Sequence, residues 1–184
     1  MSVSTKHIND ILDRAEQLFS GHEVDAAIGR MADEIRERIG ATTPLVLCVL
    51  TGGIVATGQL LPRLDFPLEL DYLHASRYRG DTQGNALEWL CRPSVTLQGR
   101  TILVVDDILD EGLTLAAISD YCRKEGAAAV YSAVLVEKLH DRRDQGLLAD
   151  FIGVQVEDHY VFGHGMDYKG FLRNIPGIHA VRNQ

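Results

Sequence analysis

Cysteine is scarce in this chain of 184 residues, which contains only Cys48, Cys91 and Cys122. The odd number, and the lack of any Cys-x-x-Cys or Cys/His ligand spacing, argue against a structural metal site. Because all three cysteines lie in apolar stretches, we predict that they are reduced core residues of a cytoplasmic protein.

Basic residues are also in the minority, with 18 Lys and Arg against 26 Asp and Glu and a formal net charge of -8. This balance favours a soluble protein and argues against broad contact with nucleic acid or an anionic membrane. The N-terminal residues include Asp10, Asp13 and Glu16 and contain no apolar region. We therefore expect neither a secretory signal nor export.

Long apolar runs are nearly absent, and residues 39–62 are the one uncharged stretch that could in principle span a bilayer. Pro44 and the Thr51-Gly52-Gly53 turn interrupt this stretch, so we interpret it as strand, tight turn and helix. The sequence also shows no repeat, low-complexity tract or linker. Its length suits a single domain spanning residues 1–184, which can bury roughly 70% of the surface of the unfolded chain.

The hydrophobic pattern alternates between helical and extended segments, which predicts an α/β fold with a mostly parallel sheet flanked by helices. Helical stripes run over 8–19 and 24–39, the second with a C-cap at Gly40, and further helices are predicted over 54–61 and 114–125. Extended segments are predicted over 45–50, 68–74, 87–97, 101–106, 128–136 and 151–156.

The most informative segment is the passage from a buried strand to a helix in residues 101–114. A continuous apolar strand is typical of a parallel sheet, and ligands bind outside the carboxyl ends of such strands. Here that end carries four carboxylates in six positions, namely Asp106, Asp107, Asp110 and Glu111. Because these like charges oppose folding unless a cation, hydroxyl groups or ligand donors neutralise them, we expect a ligand there.

The adjacent residue types indicate which ligand this is. Asp106 and Asp107 could accept hydrogen bonds from a vicinal diol or reach a hydrated Mg²⁺. The turn from Gly112 to Thr114 opens a helix, whose free N–H groups and dipole favour a phosphate. A diol and a phosphate together indicate a ribose 5-phosphate. The alternative is an ordinary helix N-cap cluster, although one cap explains one acidic residue rather than four.

This segment resembles the phosphoribosyl diphosphate motif of the type I phosphoribosyltransferases. The resemblance implies that Asp106 and Asp107 hold the ribose hydroxyls and that Asp110 exchanges a proton with the purine imidazole ring. It also implies a 5-phosphate loop, made of Asp110, Glu111, Gly112, Leu113 and Thr114. Glu111 stands where the family usually has Thr, and Leu113 where many members have a polar residue. A carboxylate at position 111 would weaken phosphate binding unless it turns outward.

A second segment, Leu50-Thr51-Gly52-Gly53, joins an apolar strand to a helix through two glycines, whose backbone N–H groups could approach a diphosphate closely. In isolation an ordinary strand-to-helix turn is equally consistent with the pattern. The segment resembles the diphosphate loop of the 6-oxopurine phosphoribosyltransferases, which implies a non-proline cis peptide between Leu50 and Thr51. Thr51 replaces the Lys of several relatives.

The later motifs appear in the order of the same family. By that resemblance Lys138 donates to the purine 6-oxo group, which favours hypoxanthine or guanine over adenine. The segment 158–173 resembles the purine-binding hood of the hypoxanthine-guanine enzymes, so that Tyr160 stacks on the purine and Val161 offers backbone groups. Asp167 would join Asp106 and Asp107 at Mg²⁺, and Arg173 would reach the diphosphate. Without the resemblance, Lys138 and Arg173 are surface charges and Tyr160 is a core aromatic.

The polar segment 75–90 corresponds to the family's closing loop, in which Ser76 and Tyr78 match a Ser-Tyr element; the alternative is a disordered surface loop. The resemblance implies a central, mostly parallel sheet with a small hood from about residues 1–40 and 157–184. It further implies Mg²⁺-dependent transfer of a phosphoribosyl group from 5-phosphoribosyl 1-diphosphate to hypoxanthine or guanine. The apolar stripes of the N-terminal helices favour a homodimer or homotetramer. Two alternatives stay open: a regulatory nucleotide-binding protein of the same fold, and a receiver-like signalling domain.

Overall fold

The computed structural model describes residues 3–77, 87–142 and 148–182. Its helices are α1 (Thr5–Arg14), α2 (Gly21–Ile39), α3 (Gly53–Leu60) and α4 (Leu113–Lys124), with short 3₁₀ turns at Gly40–Thr42 and Leu61–Arg63. The strands are β1 (Glu16–Phe19), β2 (Leu45–Leu50), β3 (Glu69–Arg77), β4 (Leu87–Cys91), β5 (Thr101–Leu109), β6 (Ala129–Leu139), β7 (Phe151–Glu157), β8 (Val161–Phe162) and β9 (Ile178–Ala180).

The larger sheet has the strand order β4-β3-β2-β5-β6-β7. All neighbouring pairs are parallel except β3 with the edge strand β4. Helices α2 and α3 pack against β7, β5 and β2, and α4 packs against β6 and β3, so that two apolar clusters fill the two faces. Buried aliphatic residues in β2 and β5 face both layers, as the uninterrupted apolar runs predict. The predicted α/β class is therefore confirmed.

A smaller antiparallel sheet, in the order β1-β9-β8, joins the two ends of the described chain. The prediction of helix over residues 8–19 is wrong for its second half, because the helix ends at Arg14 and residues 16–19 form β1. Leu18 and Phe19 still contribute to the main core, but from a strand whose partner is the distant β9. Pairing with a segment far along the chain overrides the local helical periodicity.

Other predictions from the sequence also change. The extended run predicted over 87–97 ends at Cys91, because the Asp71 carboxylate accepts hydrogen bonds from the N–H groups of Ser94 and Val95 and holds that segment as a turn. Cys91 is half-buried on the edge strand, so only Cys48 and Cys122 are the buried cysteines expected. Strand β5 continues to Leu109, beyond the predicted end at residue 106.

Residues 39–62 form the end of α2, then β2, the turn and α3, as the interrupted apolar pattern predicts. Within the described ranges, no helix has the length and hydropathy needed to cross a bilayer.

Candidate active site

A cavity of about 660 Å³ opens at the carboxyl ends of β2 and β5. The ladder between these strands stops at Cys48 and Val105, whereas β5 stays paired with β6 as far as Leu109. The end of β5 therefore separates from β2, and this gap forms the cavity. The predicted site residues that line it are Leu50, Thr51, Gly52, Asp106, Asp107, Asp110, Glu111, Gly112, Leu113, Thr114, Asp167 and Arg173.

The turn after β2 closes one side of this cavity. The peptide bond between Leu50 and Thr51 is cis, as the resemblance predicts. A Cβ atom on Gly52 would lie 1.9 Å from Oδ2 of Asp107, and one on Gly53 would lie 2.7 Å from the carbonyl oxygen of Val105. Only glycine lets the turn approach β5 this closely, which explains the two successive glycines.

The carboxylates of Asp106 and Asp107 lie in the last part of β5 and face this turn. Asp106 Oδ1 accepts the backbone N–H of Asp107 at 2.9 Å. Burial, followed by the neighbouring Asp107 charge, raises the pKa of Asp106 well above its usual range. Burial also raises the pKa of Asp107, although the Arg173 guanidinium partly opposes this. The pair is therefore short of positive charge, as an oxygen-ligated cation or a diol would require.

Arg173 and Asp167 also line the cavity. Arg173 Nη2 lies 2.6 Å from Asp167 Oδ1, and Nη1 donates to the carbonyl oxygen of Gly165 at 2.6 Å. The same Nη1 lies 3.7 Å from Asp107 Oδ2. Arg173 thus links the two acidic positions across the cavity, instead of lying on the surface as an isolated charge.

The predicted phosphate loop forms the cavity wall that follows β5. Gly112 has φ of 83° and is the N-cap of α4, with no side-chain hydrogen bond to the first turn among the described residues. The alternative in which the acidic residues cap this helix is therefore wrong. The N–H groups of the first turn are left for another acceptor, and the half-buried Thr114 lies beside them.

Asp110 lies at the far end of the acidic cluster, where a lysine and a histidine contact its carboxylate. Lys138 Nζ, on β6, donates to Oδ2 at 2.8 Å, and His140 Nε2 lies 2.7 Å from Oδ1. Burial alone would raise the pKa of Asp110, but the hydrogen bonds from Lys138 and His140 outweigh it and lower the pKa below its usual range. Lys138 is thus connected to the site through Asp110, although Lys138 itself does not line the cavity.

Sequence reasoning missed three residues around Asp110, namely His140, Arg142 and Asp158. Arg142 Nη2 donates to both oxygens of Asp158 at 2.7 and 2.8 Å and lies 3.8 Å from Asp110. Asp110, His140 and Asp158 could together approach a metal ion. However, Lys138 Nζ already lies 2.8 Å from Asp110 and 3.9 Å from Asp158, so this cluster has its own cations. The period of two along a strand would have placed position 140 beside Lys138.

The predicted purine contacts lie outside the cavity lining. Tyr160 is 51% exposed and meets Tyr168 edge-on at 5.5 Å, so the reading as a core aromatic is wrong. Val161 is buried and pairs with Ala180 in the small sheet. Of the two predicted lid residues, Ser76 lies at the end of β3, whereas Tyr78 lies outside the described residues.

Comparison with known proteins agrees with this geometry. The family model described as the phosphoribosyl transferase domain matches residues 14–169. The chain therefore belongs to the phosphoribosyltransferase family and is an enzyme of that class. This assignment excludes the receiver-like signalling domain.

Several relatives of similar length are named for purine bases. The hypoxanthine-guanine-xanthine phosphoribosyltransferase of Tritrichomonas foetus is 31% identical, over 94% of this chain and 93% of that protein. The hypoxanthine-guanine phosphoribosyltransferase of Bacillus subtilis (strain 168) is 29% identical, over 92% of this chain and 94% of that protein. A solved structure of a hypoxanthine-guanine-xanthine phosphoribosyltransferase superposes with a TM-score of 0.84 and 28% identity, covering 93% of this chain and 99% of that one.

Proposed function

We propose that this enzyme transfers the 5-phosphoribosyl group of 5-phosphoribosyl 1-diphosphate to N9 of hypoxanthine or guanine and releases diphosphate. One observation carries the proposal: a single cavity brings together the Asp106–Asp107 pair, the uncapped start of α4 and the turn after β2. These three features suit a ribose diol, a phosphate and a diphosphate respectively. The relatives' names supply the class of base.

In this proposal the donor lies along the cavity. The 5-phosphate is held by the N–H groups of residues 111–114 and by the Thr114 hydroxyl, with Glu111 the residue least suited to an anion. The diphosphate lies against the backbone of residues 50–53, where Thr51 supplies no charge, and near the guanidinium of Arg173. The ribose hydroxyls donate to Asp106 and Asp107.

Mg²⁺ fits the residues that face the diphosphate end of this cavity. The side-chain donors of Asp106, Asp107 and Asp167 are all carboxylate oxygens, the ligand type that Mg²⁺ prefers, and burial raises the pKa of the first two, which a bound cation would oppose. When bound, Mg²⁺ would neutralise charge that develops on the leaving diphosphate. Arg173, whose guanidinium contacts both Asp107 and Asp167, helps to orient these carboxylates.

The proposed contacts with the purine base lie at the Asp110 end of the acidic cluster. Lys138 donates to the purine 6-oxo group, Tyr160 stacks on the ring, and Val161 offers backbone groups to its edge. Asp110 takes the proton from the imidazole ring as the N9–C1′ bond forms, because its ionised carboxylate lies at the junction of the sugar and base ends. The transition state is expected to resemble an oxocarbenium ion, so positioning and electrostatics carry most of the catalysis.

Closure and assembly complete the proposal. The segment containing Ser76 and Tyr78 acts as a lid that keeps water from the reactive ribosyl centre. The small sheet of β1, β9 and β8, with its flanking segments, is the hood over the base within a single domain. We expect a homodimer or homotetramer, which light scattering would resolve.

The proposal is tested by incubating the protein with 5-phosphoribosyl 1-diphosphate, Mg²⁺ and one of a panel of purine and pyrimidine bases. Nucleotide and diphosphate should form with hypoxanthine and guanine but hardly with adenine, because an exocyclic amine cannot accept from the Lys138 ammonium. Matched samples with EDTA should lose activity. Turnover with adenine or a pyrimidine in preference would contradict the base assignment, whereas binding of nucleotide without turnover would favour the regulatory alternative.

A further inference from the structure

His140 is held against the carboxylate of Asp110 in a defined orientation. Its side chain is only 5% exposed, and Nε2 lies 2.7 Å from Asp110 Oδ1. On the other side of the ring, Nδ1 accepts the backbone N–H of Arg142 at 3.1 Å. Since Nδ1 accepts, the neutral ring carries its proton on Nε2 and donates it to Asp110.

The residue that sets this tautomer is itself fixed. Arg142 lies in the turn after β6, and its Nη2 donates to both carboxylate oxygens of Asp158 at 2.7 and 2.8 Å. This ion pair connects the turn to the segment that follows β7 and keeps the Arg142 N–H pointed at the imidazole. A continuous chain of hydrogen bonds therefore runs from Asp158 through Arg142 and His140 to Asp110.

The two oxygens of Asp110 consequently differ in their partners. Oδ1 is held by the neutral imidazole, which has no part in binding the proposed substrates, whereas Oδ2 is held by Lys138 at 2.8 Å. Lys138 is also the proposed donor to the purine 6-oxo group. When Lys138 turns to the base, Oδ2 becomes available and Oδ1 stays anchored.

We propose that His140 is a positioning residue, which anchors Asp110 through Oδ1 and so presents Oδ2 to the N7–H of the purine. This inference rests on the proposed function and adds a residue to it. As the N9 lone pair forms the bond to C1′, the bond from C1′ to the diphosphate breaks and its electrons leave with the diphosphate. The N7–H bond then breaks, its electrons stay in the ring, and the proton passes to Oδ2.

The test compares two substitutions of equal length at position 140. Gln can place an N–H donor near the position of Nε2, whereas Met fills similar space without a donor. We expect H140M to lower kcat by about 10- to 100-fold, since loss of about 1 Å in alignment can cost that much. KM for the diphosphate donor should be unchanged, and H140Q should recover most of the lost kcat. Folding of each variant is checked by thermal melting.

A pH profile separates positioning from a general packing effect. The groups that face Asp110 are Lys138 from β6, His140 and Arg142 from the segment that follows β6, and the adjacent residue Glu111. Asp158 lies on the other side of Lys138, 3.9 Å from its Nζ. Because the His140 hydrogen bond lowers the pKa of Asp110, its loss should move the acid limb of kcat/KM to higher pH in H140M. The limb should stay near its wild-type position in H140Q.

A double-mutant cycle and a measurement on the unmodified enzyme complete the design. In a D110N background, H140M should lower kcat little further, because the carboxylate that His140 anchors is already absent. Should H140M not fold, the ¹⁵N shifts of the wild-type imidazole in mildly alkaline buffer still report the tautomer. A wild-type enzyme that makes nucleotide while H140M keeps full kcat, or a ring protonated on Nδ1, would overturn this inference alone. A wild-type enzyme that makes no nucleotide would instead overturn the proposed function.

Discussion

Gly52 provides the sharpest test of how the turn after β2 fits the acidic pair. Its backbone angles, φ -63° and ψ -42°, are right-handed and open to any residue. A methyl group there would nevertheless lie 1.9 Å from Oδ2 and 2.3 Å from Cγ of Asp107, against ordinary contacts of 3.4 Å or more. The Asp107 carboxylate must therefore move by about 1.5 Å in the variant Gly52→Ala.

The cost of this movement falls on activity more than on stability. Turning one carboxylate out of its rotamer costs of order 0.5–1.5 kcal/mol, which the lower backbone entropy of alanine in the unfolded chain partly offsets. A displacement of this size near the reacting centre can lower the rate by about 10²-fold. We therefore expect kcat/KM for the diphosphate donor to fall by about 10²-fold while the free energy of unfolding changes by less than about 1 kcal/mol.

The same helix offers a matched control. Gly58 is exposed on α3, and a Cβ atom there would meet nothing within 4 Å. Gly58→Ala should leave initial rates unchanged and stabilise the protein by about 0.5–1 kcal/mol, the usual gain within a helix. Both variants are tested by initial rates of nucleotide formation and by thermal melting. Wild-type kcat/KM in Gly52→Ala would refute the close approach of the turn to Asp107.

Three further predictions concern the carboxylates and Lys138. Asp110→Asn should lower kcat by roughly 10²–10⁴-fold, the scale of losing a general base, and an unchanged kcat would remove Asp110 from that role. Lys138→Ala should raise KM for the base by roughly 10- to 100-fold through loss of a charged hydrogen bond, with a smaller change for the diphosphate donor; equal changes would contradict the assignment. Asp106→Asn should abolish activity yet raise thermal stability at neutral pH by about 0.5–2 kcal/mol. The folded-state pKa of Asp106 is raised, so its ionisation destabilises the fold as pH rises above the ordinary carboxyl range; the gain should therefore vanish in acid, and a gain that persists there would count against this cause.

Local features of the sequence predicted most of the main sheet and its helices. Alternation of apolar strands with helical stripes is encoded within each segment, so α3, α4 and β2 were placed to within one residue of their bounds and α2 to within three. The cis peptide at Leu50–Thr51 and the residues of the cavity came from motif resemblance. Both kinds of information lie in short windows of the chain.

Contacts between distant segments could not be predicted from short windows of the sequence. Residues 16–19 become a strand only because 178–180 are available to pair with them. The grouping of Asp110, His140 and Asp158 joins three turns that lie far apart in sequence. A period-two pattern could have put His140 on the face of Lys138, but only the parallel alignment of β6 with β5 brings that face to Asp110.

The acidic cluster was predicted as one unit short of positive charge, and the structure divides it in two. Burial raises the pKa values of Asp106 and Asp107, whereas the Lys138 ammonium and the hydrogen bond from His140 lower the pKa of Asp110. Binding of a cation or a diol is therefore most favourable at Asp106 and Asp107. Asp110 instead stays ionised and can accept a proton. Opposite shifts in neighbouring carboxylates separate ligand binding from proton transfer. The burial and partners of each carboxylate, rather than the number of acidic residues, therefore determine which of these roles it can perform.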